Sequence, residues 1–170
     1  METVTNSLEV FGSTLRCKRE KGESSSHGEE EIAWSIEIGD IVLVAECTTN
    51  EGPWLDDYFF VFVTIEDGKQ YRSQCTFYAD GSSEALESMG LQLGAPLRPG
   101  LCHSTEWTSR VMWPTHIEGI DYFDFTQVKP VGLISRLSKV FFGPQSEYSV
   151  AEPVREYLRE ASHQARVQRP

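Results

Sequence analysis

The sequence predicts an α+β fold, in which an antiparallel sheet of about six to seven strands carries a short helix and a C-terminal helix. Two β-branched or aromatic runs, residues 41–48 and 58–65, lack the alternation of a half-buried strand. An Asp67-Gly68 dipeptide follows the second run, and apolar residues at helical spacing occur near 83–89 and 150–166. The runs indicate strands that are covered on both faces, and the dipeptide indicates a hairpin.

The Asp67-Gly68 turn fixes the register of the predicted hairpin, because a two-residue turn permits one pairing of the flanking strands. Phe62 then lies opposite Ser73, and Phe60 lies opposite Cys75. Residues opposite one another share a face of the sheet, so this register predicts a core face. Its members are Tyr58, Phe60, Phe62, Tyr71, Cys75 and Phe77. We expect the first strand to be buried on both faces and the second strand to keep one face in solvent.

Further strands are expected on both sides of this hairpin. One runs from Leu8 to Lys18 and leads into a loop of charged residues, serines and glycines at 18–31. Two more are expected near 107–113 and 117–128, separated by Pro114. A proline has no N–H to donate to a ladder, so it marks the boundary between them.

The predicted helices have recognisable ends. The helix near 83–89 has Gly90 as a natural stop, since glycine readily ends a helix. The C-terminal helix near 150–166 is expected to begin with the capping box Ser149-x-x-Glu152. A further stripe of apolar residues predicts a helix at 133–142.

The composition is that of a globular domain of ordinary size. The chain has 170 residues, of which 39% are hydrophobic, and no apolar run approaches the roughly 18 residues that span a bilayer. Its start, METVTNSLEVF, lacks the pattern of a secretory signal. We expect one soluble, cytoplasmic domain over 1–170, with a sheet-rich body at 1–128 and a packed helical extension at 129–170. The four scattered cysteines indicate reduced thiols and no disulfide framework.

The net charge of −11 is unevenly distributed. Residues 1–128 carry 8 basic and 22 acidic side chains, whereas residues 129–170 carry 7 basic and 4 acidic side chains. An acidic body repels phosphate backbones, so nucleic-acid binding is disfavoured. Its field would attract a basic protein. No membrane partner is expected, because the stripe at 133–142 is short and carries only two positive charges.

Residues 34–113 resemble a family of small uncharacterised bacterial proteins. The shared pattern is a tryptophan, an acidic-aliphatic strand, a T-T-[ND]-[ED]-G-P-[aromatic]-x-x-D loop, an aromatic strand, a glycine turn, a short helix and a late S-T…W strand. In this chain those elements are Trp34, Asp40-Ile41-Val42, Thr48 to Asp57, Tyr58 to Val63, Gly68, residues 83–89 and Ser104-Thr105…Trp113.

The resemblance implies a compact antiparallel sheet with a packed helix, partly barrel-like in the manner of a pleckstrin-homology domain, and it implies no activity. Two features depart from the shared pattern. GAPLRPG at 94–100 replaces the G-F-D-N segment that usually follows the helix, and the tail from about residue 129 lies outside the pattern.

The loop before the aromatic strand is the candidate binding site. It contains Glu51, Trp54, Asp56 and Asp57. A tryptophan ringed by carboxylates suits a basic protein partner, since tryptophan is frequent at interface hot spots. The plainer interpretation is that Trp54 packs over the end of the sheet while the acidic residues keep that edge soluble.

A Cys/His pocket is the alternative site, using Cys102, His103 and His116. Adjacent side chains on an extended segment point to opposite faces, so Cys102 and His103 are poorly placed to pair directly. The three residues match no common zinc spacing, and no nucleophile–base motif or phosphate-binding loop occurs. We therefore expect no catalytic residues, no metal and no cofactor.

These observations favour a non-enzymatic protein-binding or regulatory module, such as an adaptor or an immunity protein, with an acidic binding face. A small hydrolase or ligand-binding domain that uses the Cys/His pocket is a second hypothesis. A self-associating structural domain, a homodimer paired through its terminal helix, is a third.

Overall fold

The computed structural model describes residues 6–20, 30–49, 57–124 and 149–167. The described chain forms three antiparallel sheets and two helices. The strands are β1 (Asn6–Phe11), β2 (Thr14–Glu20), β3 (Glu30–Glu37), β4 (Ile41–Thr48), β5 (Tyr58–Glu66), β6 (Lys69–Thr76), β7 (Thr108–Trp113), β8 (Phe123–Asp124) and β9 (Ser149–Val150). The helices are α1 (Ser82–Leu93) and α2 (Glu152–Val167).

The first sheet has the order β1-β2-β3, the second has the order β6-β5-β4-β7, and β8 pairs with β9. The hairpin of β5 and β6 has the predicted register, with Phe60 opposite Cys75 and Phe62 opposite Ser73. Asp67 and Gly68 both have positive φ, as the turn requires. The hairpin prediction is therefore confirmed.

Two hydrophobic cores lie on the two faces of the four-stranded sheet. The first core packs that sheet against the three-stranded sheet and α1, with Phe60, Phe62, Leu8, Leu15 and Met89 among its buried residues. The second core packs the opposite face against α2 and the segment around β8. Its members include Val61, Val63, Tyr122, Val154 and Leu158. As the unalternating runs predict, β4 and β5 are covered on both faces.

The prediction of one sheet of six to seven strands, partly barrel-like, is wrong for the described residues, which form sheets of three, four and two strands without a closed barrel. One reason is a turn at Gly12, where φ is 62°. The turn divides the strand predicted from Leu8 to Lys18 into the hairpin of β1 and β2, and this hairpin pairs with β3 rather than with the four-stranded sheet. The other is that β3 and β6 meet through a side chain, since the Trp34 indole donates to the Gln74 carbonyl at 3.0 Å. A side-chain contact does not continue a backbone ladder, so the sheets stay separate.

Several predicted boundaries differ from the structure. Helix α1 extends through Gly90 to Leu93, and Gly94, where φ is 72°, caps its C-terminal end. Gly90 instead lets the next loop approach the helix, because a Cβ there would lie 2.8 Å from the Ala95 carbonyl oxygen. Ser149 belongs to β9, so the predicted capping box is wrong.

In place of the strand predicted at 117–128, the structure has a short 3-10 helix at Thr115–Ile117 and then the two-residue strand β8. Residues 125–128 lie outside the described part. The helix predicted at 133–142 also lies outside it. Tyr71 is 49% exposed rather than in the core, because it lies on the edge strand near the hairpin turn, where no strand of the first sheet pairs with it.

Neither α1 nor α2 is long and apolar enough to cross a membrane, and no other helix occurs in the described part apart from short 3-10 turns. Helix α2 is amphipathic. Val154 and Leu158 on its apolar side are buried in the second core, and the Tyr157 hydroxyl donates to the Val42 carbonyl at 2.9 Å. The terminal helix is thus packed on the chain's own sheet.

Two glycines with left-handed backbone allow a matched test of the contact between β1 and α1. Gly81 (φ 77°) and Gly94 (φ 72°) flank α1, but a Cβ on Gly81 would lie 2.7 Å from the Leu8 carbonyl oxygen, whereas a Cβ on Gly94 would meet nothing within 4 Å. We expect Gly94→Ala to lower the free energy of unfolding by about 1 kcal/mol, the cost of a positive φ. Gly81→Ala should cost at least about 1–2 kcal/mol more, because β1 must move. Urea denaturation measures both, and equal losses would contradict the close approach.

Candidate binding site at the end of the four-stranded sheet

Asp57 is the one residue of the predicted binding face that falls in the described part of the chain; Glu51, Trp54 and Asp56 lie outside it. Asp57 precedes β5 and is half-buried. The Thr49 N–H donates to its backbone carbonyl at 2.7 Å, so the two ends of the loop are held together. The loop therefore leaves from and returns to the same end of the four-stranded sheet.

Tyr78 lies beside Asp57 at this end of the sheet. Its hydroxyl donates to Asp57 Oδ1 at 2.8 Å, and its side chain is 59% exposed. The ring of Tyr78 meets Phe77 edge-on at 5.5 Å, and Phe77 stacks on Tyr58 at 4.3 Å with an interplanar angle of 6°. An exposed aromatic ring and a carboxylate are thus joined to one another, and they are supported by a stack of the half-buried Phe77 on the buried Tyr58.

The Tyr58 hydroxyl donates to Glu46, whose carboxylate is fully buried in the first core face. Glu46 also accepts from the backbone N–H of Gly100 at 3.0 Å and of Leu101 at 3.4 Å. Arg110 donates through Nε at 2.8 Å and through Nη2 at 2.6 Å, both to Oε1. The charge is therefore paired and hydrogen-bonded on both oxygens, which a buried carboxylate requires.

This network fixes the loop that runs past the sheet. Arg110 also donates to the Arg98 carbonyl at 2.8 Å, so one guanidinium joins β7, β4 and the loop. A Cβ on Gly100 would lie 2.6 Å from Arg110 Nη2, which explains why a glycine stands there. The arrangement is closed around Glu46 and leaves no oxygen directed at a substrate, so we interpret it as structural.

The phenol of Tyr58 is held neutral by the same surroundings. Burial raises its pKa well above the ordinary value of 10.0, and the bond to Glu46 and the negative charge there raise it further. Burial also raises the pKa of Tyr122 and of Tyr157. These shifts affect stability at high pH rather than chemistry near neutrality.

The three residues of the alternative pocket lie on two different elements of the described chain. Cys102 and His103 are exposed residues of the loop that Leu101 anchors against the first core. His116 lies in the 3-10 helix after β7, and its ring contacts Tyr157 of α2 at 5.3 Å, on the side of the second core. Because the two cores lie on opposite faces of the sheet, the structure does not bring His116 to Cys102 and His103.

Within the described ranges, no group of three or more His, Cys, Asp and Glu side chains is arranged to hold a metal ion. An open groove of about 590 Å³ lies between α1 and the loop at 94–99, with a mainly apolar lining that includes Leu86 and Leu91. The groove is lined by none of the three pocket residues. The polar side chains in its lining are Ser83, Glu87 and Arg98.

Sequence reasoning missed Glu46, Arg110 and Tyr78. A signal for Glu46 was present, since a charged residue inside the unalternating run IVLVAECT must find partners if the strand is covered on both faces. The partner Arg110 lies 64 residues away and could not be identified without the pairing of β4 with β7. Comparison with protein-family models, with curated proteins and with solved structures found no match to this chain.

Removing the Glu46 carboxylate should be severely destabilising. Glu46→Ala leaves the Tyr58 hydroxyl, two backbone N–H groups and Arg110 without their acceptor. We expect the free energy of unfolding to fall by about 3–5 kcal/mol in urea denaturation. The control Glu156→Ala, on the exposed side of α2, should change it by less than about 0.5 kcal/mol. A similar small change for both variants would show that the network does not stabilise the fold.

Stability should fall as pH rises above about 10, and Tyr58 should account for part of the fall. The pKa of Tyr58 is higher in the folded state than in the unfolded state, so its contribution is complete below pH 10.0 and is lost as the pH rises above that value. Between about pH 10 and 11, the free energy of unfolding of Tyr58→Phe should decline less steeply than that of the wild type, by up to about 1.4 kcal/mol per pH unit. Tyr71→Phe, which removes an exposed phenol, is the control. Parallel profiles for all three proteins would refute the assignment.

Proposed function

We propose that this chain is a protein-binding or regulatory module, and that it contacts its partner through the acidic end of the four-stranded sheet. The proposed contact surface, here called the sheet-end face, comprises Asp57, Tyr78 and the adjoining loop residues Glu51, Trp54 and Asp56. The observation that carries the proposal is that the exposed Tyr78 donates its hydroxyl to Asp57 and rests on the stack of half-buried Phe77 and buried Tyr58.

A tyrosine held by a carboxylate is well suited to protein recognition. The ring offers a large contact area and has few rotatable bonds to order. Its hydrogen bond to Asp57 restricts it further before any partner arrives. Binding then costs less conformational entropy than it would with a mobile side chain.

The charge of this end favours a basic partner. Asp57 is joined in sequence by Glu51 and Asp56, on either side of Trp54, in a body whose residues 1–128 carry 22 acidic and 8 basic side chains. Carboxylates around an aromatic anchor steer a cationic protein and select its orientation. An adaptor or immunity role in the cytoplasm is compatible with such a surface.

The two other hypotheses have less support. A hydrolase or ligand-binding site would use Cys102, His103 or His116, and His116 contacts α2 on the opposite side of the sheet from the loop of the other two. Self-association through the terminal helix would need its apolar side, which is already packed in the second core by Val154 and Leu158. A 1–145 truncation would therefore expose that core rather than merely remove a dimer contact.

The sheet-end face predicts which variants lose a protein partner. Immobilised wild-type chain should retain a protein from an extract of the cells that make it, and retention should weaken as salt is raised. Trp54→Ala, Tyr78→Ala and the double variant Asp56→Ala/Asp57→Ala should each bind the purified partner at least about tenfold more weakly by calorimetry.

Matched controls remove the same groups elsewhere on the surface. Phe11→Ala deletes a 67% exposed aromatic side chain, and Glu156→Ala/Glu160→Ala deletes two exposed carboxylates of α2. Both controls should keep wild-type affinity. Unchanged affinity in all the sheet-end variants, with folding confirmed by circular dichroism, would exclude this surface.

A further inference from the structure

Two buried cysteines from different sheets lie in contact. Cys17 of β2 and Cys75 of β6 are each 4% exposed, and the Cys17 thiol donates to Cys75 Sγ at a separation of 3.5 Å. They are 58 residues apart in the chain, and β2 and β6 belong to separate sheets. Neither sulfur is part of a disulfide in this structure.

An opening in the surface leads to this pair. An open cavity of about 560 Å³ lies between the first sheet and β6, and both cysteines line it together with Trp34, Arg19 and Gln74. A small oxidant therefore has a route to two thiols that are otherwise covered by the first core. The polar and cationic side chains at the opening suit a small polar molecule rather than an apolar one.

We propose that Cys17 and Cys75 form a reversible disulfide, which locks the two sheets together when the protein meets a peroxide. The Cys17 thiolate attacks one peroxide oxygen, so that an S–O bond forms, the O–O bond breaks and the departing hydroxide takes a proton to become water. Cys75 sulfur then attacks the resulting sulfenic acid of Cys17, so that the S–S bond forms and the S–O bond breaks. The second hydroxide leaves as water with the Cys75 proton. One peroxide is reduced and two thiols are oxidised.

The surroundings of the pair favour Cys17 as the attacking sulfur. When Cys17 loses its proton, the Cys75 thiol can donate to the thiolate, and this hydrogen bond is the main cause that lowers the pKa of Cys17. Burial acts in the opposite direction and raises the pKa of Cys17, whereas the positive charge of Arg19 lowers it further. Cys47 provides the contrast, because its burial in the second core raises its pKa to about 11.

The bond would restrict the motion of the two sheets. Around this place, β3 and β6 are joined by the bond from the Trp34 indole to the Gln74 carbonyl rather than by a ladder. A covalent link between β2 and β6 would prevent the sheets from separating there. It would also restrict the unfolded chain, which is how a disulfide between distant residues stabilises a fold.

The test uses Cys102→Ser protein, because the exposed Cys102 thiol would otherwise form mixed disulfides. After treatment with hydrogen peroxide, intact mass should show the loss of two hydrogen atoms per chain, and alkylation of the denatured protein should then add one group rather than the three that the reduced protein takes up. Proteolysis should release one cross-linked pair that contains Cys17 and Cys75, and dithiothreitol should reverse the change. The oxidised protein should melt about 5–15 °C higher than the reduced protein.

Two variants in the same background separate this pair from the remaining thiol. Cys17→Ser should abolish the two-hydrogen loss, whereas Cys47→Ser should preserve it. If Cys17→Ser does not fold, the mass and cross-link measurements on the Cys102→Ser protein decide the proposal by themselves, because replacing the exposed Cys102 leaves the core unaltered. The proposal is overturned if oxygen accumulates on Cys17 or Cys75 without cross-linking. It is equally overturned if the pair stays reduced under conditions that oxidise Cys102 completely in the wild type.

Discussion

The rest of the described structure depends on the pairing of one buried charge. Glu46 is the single charged residue that is fully buried in the described part of the chain, and it lies in β4, which is covered on both faces. Its side chain is closed off from bulk solvent there, so its charge depends on hydrogen-bond partners inside the protein. Those partners come from β5, β7 and the loop at 100–101, and one carboxylate therefore positions three separate parts of the chain.

The same requirement shapes the surface at this end of the sheet. Tyr58 donates to Glu46 on one side and stacks on Phe77 on the other, and Phe77 in turn supports Tyr78. The hydrogen bond from Tyr78 to Asp57 completes a continuous path from the buried charge to an exposed aromatic ring. A surface supported in this way is pre-organised, which is the property that a protein-binding face needs. The buried network thus supports the two residues of the proposed sheet-end face that the structure describes, Tyr78 and Asp57.

The two larger sheets are joined mainly by contacts between side chains. Trp34 bonds to β6 and its ring lies 5.6 Å from Phe62, and the thiols of Cys17 and Cys75 meet nearby. Among the described residues, the backbone pairing between the first sheet and the segment after β6 is a bridge at Ser7 and Asp80. Side-chain packing rather than a continuous backbone ladder therefore holds the two larger sheets together. This explains why the described residues form no closed barrel and why a cavity lies between the first sheet and β6.

The sequence by itself determined the local features, because these depend on neighbouring residues. The Asp67-Gly68 turn set the register of β5 and β6, and the unalternating runs identified the strands covered on both faces. Only the tertiary structure decided the rest. Arg110 pairs with Glu46 from 64 residues away, Cys75 meets Cys17 from 58 residues away, and Tyr157 rather than Cys102 lies beside His116. Each of these contacts is set by how sheets and helices pack across the cores, and neither spacing nor periodicity along the chain encodes that packing.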